Sequence, residues 1–94
     1  MERIIVDLSG IITREGFWHR IRNVFECPEY FGDNLDAFCD VLTEMAGPTE
    51  IVFVNTLGFK KAEPEYFEAF DEMLDDIVAG CEDIYVSYED YELE

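Results

Sequence analysis

Three short runs of β-branched and aromatic residues, and the length of chain between them, constrain this sequence more than any other feature. The runs are Arg3–Leu8 (RIIVDL), Glu50–Asn55 (EIVFVN) and Asp83–Tyr88 (DIYVSY), each long enough for one strand. No two are joined by a hairpin-length loop. Antiparallel neighbours can be linked by two residues, whereas parallel neighbours need a crossover, so the spacing predicts parallel strands joined right-handedly through helices.

The intervening stretches carry the helical patterns that such crossovers require. Phe17, Trp18, Ile21, Val24 and Phe25 recur at helical spacing after Thr13, a capping residue, and the segment stops before Pro28. Leu35, Phe38, Leu42 and Met45 step by 3, 4 and 3, an apolar stripe on a second helix ending near Gly47-Pro48. After Pro64, Tyr66, Phe67, Phe70, Met73, Leu74 and Ile77 form a third stripe, with Gly80 as the expected C-cap. The expected fold is a two-layer α/β domain over residues 1–94, with a three-stranded parallel sheet, β-α-α-β-α-β order and helices packed on one face. Residues 89–94 are read as an acidic tail.

Charge then restricts the partners. With 23 Asp and Glu against 6 Lys and Arg, the formal net charge is −17. Disordered acidic chains lack large apolar residues, yet here 49% of residues are hydrophobic and 15% aromatic, which supports a packed core. A surface this negative repels nucleic acid and anionic membranes, so neither is expected as a direct partner. No apolar run approaches a membrane span of roughly 20 residues, and Met1-Glu2-Arg3 does not open a signal peptide, so a cytoplasmic location is expected. Cys27, Cys39 and Cys81 form no CxxC pair and are read as reduced thiols, neither a disulfide framework nor a zinc site.

The negative charge is uneven. Residues 1–48 carry nine acids and four bases, whereas residues 62–94 carry thirteen acids and no base. If the second helix turns its apolar stripe inward, its opposite side carries Asp33, Asp36, Asp40 and Thr43. On the third helix Glu68, Asp71, Glu72, Asp75 and Asp76 face outward with no Lys or Arg for i,i+4 pairing. A charge run is most simply a solvated face that keeps a small protein soluble. Solubilising surfaces mix both signs, however, and unrelieved self-repulsion points to a strongly basic partner. Tyr30-Phe31-Gly32 precedes the acidic helix, and one aromatic is expected to staple the helix entrance while the other faces outward.

Enzyme chemistry finds little footing. A glycosidase carboxylate pair needs a cleft for which a small two-layer domain has little room. His19 is the one histidine and has no Ser or Cys placed as a nucleophile beside it. Asp33, Asp36 and Asp40 lack the D-x-D-x-D-G loop of a calcium site. No enzymatic activity, cofactor or metal is expected.

The segment Pro28-Glu29-Tyr30-Phe31-Gly32-Asp33-Asn34-Leu35-Asp36-Ala37-Phe38-Cys39-Asp40-Val41-Leu42-Thr43 closely resembles the barstar family of intracellular ribonuclease inhibitors. The element order and Gly80-Cys81 before the last strand resemble the family too, over most of residues 1–88. The resemblance implies an inhibitor, monomeric when free, that inserts its second helix and the preceding loop into the active site of a basic ribonuclease, as an antitoxin or immunity protein in the producing cell. By position it implies Asp40 as the central carboxylate, Asp36 as its contacting neighbour, Tyr30 as the aromatic packing on a catalytic histidine, and Asn34 and Thr43 as polar contacts. Phe31, in the same loop, and Cys39 and Glu44 on the helix are read as further partner-binding residues, and counting back from Gly80 puts Asp75 where the family has a contacting glutamate. Cys39 stands in place of a tryptophan, and Glu44-Met45 in place of Gly-Trp, which removes aromatic area and adds an acid at the rim of the contact. The alternative is an acidic interaction or antitoxin module for a different basic partner, held by the diffuse charge of the third helix and the tail.

Overall fold

A computed structural model of the chain describes residues 2–25, 27, 31–45 and 47–89. The elements run β1 (Glu2–Asp7), α1 (Arg14–Val24), α2 (Leu35–Thr43), β2 (Thr49–Val54), α3 (Leu57–Ala62), α4 (Pro64–Gly80) and β3 (Ile84–Glu89). The sheet has the order β1-β2-β3, and both pairs are parallel. The expected parallel α/β architecture is therefore present, with each strand within one residue of its expected place. The addition is α3, six residues (LGFKKA) that are too short to show periodicity in sequence. Its Phe59 is fully buried and stacks on Phe17 of α1 at 4.8 Å between ring centroids.

Local chemistry explains most boundaries. The Thr13 hydroxyl accepts from the Gly16 N–H at 3.0 Å and caps α1 as expected. Pro64 opens α4, where its missing N–H costs no helical bond. Gly80 does not serve as a left-handed cap, contrary to expectation. It lies within α4, and Cys81 leaves the helix in extended conformation with its N–H donating to Ile77 O at 2.8 Å. Glu89, expected in the tail, is the last residue of β3 and pairs with Val54; residues 90–94 lie outside the described residues.

Side chains alternate across the sheet, and one parity joins the core. Ile4 and Val6, Ile51 and Phe53, and Ile84 and Val86 pack with the buried residues of the helices. The opposite face is a grid of Arg3, Ile5 and Asp7 on β1, Glu50, Val52 and Val54 on β2, and Tyr85, Ser87 and Glu89 on β3. Arg3 Nε lies 3.4 Å from Glu50 Oε1, and its Nη2 lies 4.0 Å from Glu89 Oε2. In the strand register Arg3 and Glu89 are diagonal corners and Val52 is the centre. The Arg3 side chain thus extends diagonally toward Glu89, and Val52, at the centre of the grid, has 0% exposure.

The core is aromatic, and Phe70 is its junction. Its ring lies 5.0 Å from Phe17 of α1, 6.3 Å from Phe38 of α2, 5.2 Å from Phe53 of β2 and 5.9 Å from Phe67 of α4. Truncation would leave a cavity walled by four elements, and Phe70→Ala is expected to lower unfolding free energy by about 3–5 kcal/mol. Urea denaturation measures this, and a loss below about 1 kcal/mol would contradict the central role of the ring.

The exit from β1 carries a titrating group. Asp7 Oδ1 accepts from the Ser9 N–H at 2.9 Å and from Asn55 Nδ2 at 3.2 Å. The Ser9 N–H, foremost, holds the carboxyl below its ordinary value of 3.8, outweighing the opposing effect of partial burial. A lowered folded value stabilises above the unfolded pKa, and that stabilisation disappears as pH falls through the folded value. Asp7→Asn keeps an acceptor oxygen and removes the titration. Its stability should therefore fall less steeply than that of the parent below about pH 4, as read from denaturation midpoints across an acid series.

Candidate protein-binding site

The direction in which α2 faces is set at both of its ends and by one ring in its middle. Asn34 Oδ1 accepts from the Ala37 N–H at 2.8 Å, and Asn34 Nδ2 donates to Gly32 O at 3.2 Å, so this side chain starts the helix and closes the turn before it. At the other end the Thr43 hydroxyl donates to Asp40 O at 3.1 Å. Between them Phe38 is fully buried, edge-on to Phe25 at 5.3 Å and Trp18 at 5.9 Å, and Leu42 is fully buried too. With Phe38 and Leu42 inward, Asp36, Asp40, Thr43 and Glu44 are exposed. Asp36 and Asp40 stand one turn apart, about 5–6 Å between Cβ atoms.

The loop before α2 has a different make-up from its sequence expectation. Asp33 is not part of the acidic ridge: it precedes the helix with φ of +50° and accepts from Arg22 Nε at 2.7 Å. That ion pair ties the end of α1 to the entrance of α2. Phe31, one of the expected contact residues, is only 8% exposed and packs edge-on against Trp18 at 5.8 Å, so it is the inward staple. Tyr30, the expected outward partner, lies outside the described residues. Further support for this corner comes from Trp18, whose Nε1 donates to Tyr66 Oη at 3.0 Å, and from the Arg14 guanidinium 4.4 Å above the Tyr66 ring.

Two grooves flank α4 and divide its carboxylates. A groove of about 580 Å³ between α2 and α4 brings Asp36, Cys39 and Thr43 together with Glu72, Met73 and Asp76. Asp75 lines the other groove, toward β3, with Val78, Val86 and Tyr88. The structure thus does not bring Asp75 to the α2 side, where Glu72 and Asp76 stand. Both were legible as outward acids, but which side of α4 met α2 depended on the packing of Phe70 and Ile77 inward. Cys39 lies half-buried on the groove floor. Burial foremost, then the charges of Asp40, Asp36 and Asp76, push its thiol up, so it presents a neutral S–H rather than a nucleophilic thiolate. Among the described residues no group of three or more His, Cys, Asp or Glu side chains is arranged to hold a metal ion. His19 is exposed on α1. No helix among the described residues is long and apolar enough to cross a membrane.

The described residues form a short parallel α/β domain whose α2 buries Phe38 and Leu42 and exposes Asp36 and Asp40. The chain belongs to the barstar family: the family model described as Barstar (barnase inhibitor) matches residues 1–89. A comparison with curated proteins gives no match.

The capping geometry separates folding from surface chemistry. Asn34→Ala should cost about 1 kcal/mol of stability, whereas Asp40→Ala, which relieves an i,i+4 repulsion, should leave stability equal or slightly higher. Thermal denaturation of both variants side by side tests this, and an unstable Asp40→Ala would assign the aspartate a structural role.

Proposed function

We propose that the chain is a protein inhibitor of a basic, barnase-type ribonuclease and acts by occluding the active site without turnover. Its α2 and preceding loop occupy the substrate cleft, with carboxylates in place of RNA phosphates. The observation that carries this reading, beside family membership, is the pair of exposed, unneutralised carboxylates Asp36 and Asp40 on a helix whose opposite face is locked by Phe38 and Leu42. A nuclease site is a focused positive potential, and a fixed negative ridge meets it without reorganisation. Asp40 is the central contact and Asp36 its neighbour. By the resemblance Tyr30 joins the contact, Asn34, Cys39, Thr43 and Glu44 complete it, and Phe31 supports the loop by packing on Trp18.

The α4 side of the contact rests on the groove. The resemblance implied Asp75, but Glu72 and Asp76 share the groove with Asp36 and Thr43, and this favours them as the acids within reach of a guanidinium held there. The rest of the negative field steers association and rejects acidic partners. A cytoplasmic antitoxin or immunity role, one-to-one binding and a monomeric free state complete the reading.

Inhibition of a barnase-type ribonuclease, followed with a fluorogenic RNA substrate, tests it. A charge-assisted contact contributes about 1.5–3 kcal/mol, so Asp40→Ala should weaken inhibition roughly ten- to a hundredfold or more, and Asp36→Ala should follow. Asp76→Asn should weaken it more than Asp75→Asn. Full inhibition by a folded Asp40→Ala variant would refute the proposal. Greater damage from neutralising Glu68, Asp71 and Glu72 together would favour the diffuse acidic module instead.

A further inference from the structure

The third strand is an edge of the sheet, and its free side is open to pairing. Asp83 O accepts from the Thr49 N–H at 2.7 Å and Glu89 O from the Asn55 N–H at 3.3 Å, so these carbonyls point toward β2. Backbone groups alternate along a strand, so Ile84, Val86 and Tyr88 direct their N–H and C=O groups to the other side. Among the described residues no strand pairs there.

Natural edges are usually blunted by Lys, Pro or a bulge. The sequence of β3, IYVSYE, has no Lys and no Pro, and it pairs in unbroken register with β2. Large apolar side chains remain exposed around it: Val78 at 39%, Tyr85 at 49% and Tyr88 at 37%. Beside the edge runs the groove between α4 and β3, about 350 Å³, with Leu74, Val78, Ala79 and Val86 as apolar lining and Asp71 and Asp75 as acids. Tyr88 Oη donates to Asp71 Oδ1 at 2.8 Å, and past this bridge the depression continues along α4 to Pro64 and Glu68, where Lys60 also lines it, so the uncompensated acids lie at the Asp71 and Asp75 end.

We propose that the free edge of β3 and its groove with α4 take an extended, Lys- or Arg-bearing segment of a partner protein as a fourth strand. Charge selects the occupant. A second copy of this chain, at −17, would bring like charge to an acidic groove, whereas alternating small apolar and basic side chains would meet both its lining and its carboxylates. The site does not depend on the α2 face and lies on the other side of α4 from it.

The probe is a fluorescein-labelled peptide of alternating Val and Lys, with a control of equal charge in which Pro replaces every Val. The full chain should bind the alternating peptide at least tenfold more tightly by anisotropy, because Pro cannot donate to the edge. Amide hydrogen exchange should slow at Ile84, Val86 and Tyr88 on binding. Val78→Lys, at an exposed helical position, should lose tenfold in peptide affinity with unchanged melting temperature and, at physiological ionic strength where charge is screened, ribonuclease inhibition within about twofold of the parent. Asp40→Ala should bind the peptide as the parent does, so failure here and failure of the inhibitor reading are separable. Equal binding of the two peptides, or exchange protection on α2 in place of β3, would overturn the proposal.

Discussion

The stacked contact of Phe38 with Phe70 is the interaction on which the rest of the molecule turns. The two rings are nearly coplanar in orientation, with an interplanar angle of 11°, and they join α2 to α4 above the sheet. A helix of nine residues gains little from its own backbone bonds, and most helical stability in proteins comes from burying one face. For α2 that face is Phe38 and Leu42. Rotation of the helix by one residue, about 100°, would bury an aspartate and expose a phenylalanine, so ring packing fixes the azimuth of the carboxylates.

The scarcity of basic residues sharpens this division between core and surface. Arg3 lies with Glu50 and Glu89 over the open sheet face, Arg14 with Glu63 and Tyr66, and Arg22 with Asp33. Each of these three arginines holds one part of the scaffold to another: Arg14 sits at the first turn of α4, and none of the three is paired with Asp36 or Asp40 of α2 or with Asp71, Glu72, Asp75 or Asp76 of α4. Exposed ion pairs of this kind contribute little individually. For these three, charge is cancelled at joints of the fold, while Lys60 lies beside Glu68 and Asp71 in the depression along α4.

Elements with a strong repeating signal were legible in the sequence. The three strands, the Thr13 cap, the Pro64 start and the stripe of α4 rest on local chemistry, and the structure places each within a residue or two of expectation, whereas α2 stops at Thr43, three to four residues short of the expected end near Gly47-Pro48, and leaves Met45 outside the helix. What depended on tertiary contact was not legible. The α3 helix owes its existence to Phe59 packing on Phe17, and a six-residue segment with a glycine in it carries no period of its own. Asp33 reads as one more acid on a ridge until Arg22, eleven positions earlier, reaches it. Asp75 and Asp76 are adjacent outward acids in sequence, and only the placement of α2 on one side and β3 on the other separates them.

That separation gives α4 two rows of acids with different neighbours. Glu72 and Asp76, one turn apart, border the α2 groove; Asp71 and Asp75, also one turn apart, border the β3 groove. Both rows ride on one helix anchored by Phe67, Phe70, Leu74 and Ile77, all buried. A rigid helix of this kind offers no second arrangement through which one side could reshape the other. Coupling between the two proposed sites would then be electrostatic: a basic segment seated beside β3 would cancel part of the field acting on a basic partner at α2, and the reverse would hold equally. The rows are within a helix diameter of each other, about the Debye length at physiological salt, so such antagonism is modest there and grows as ionic strength falls.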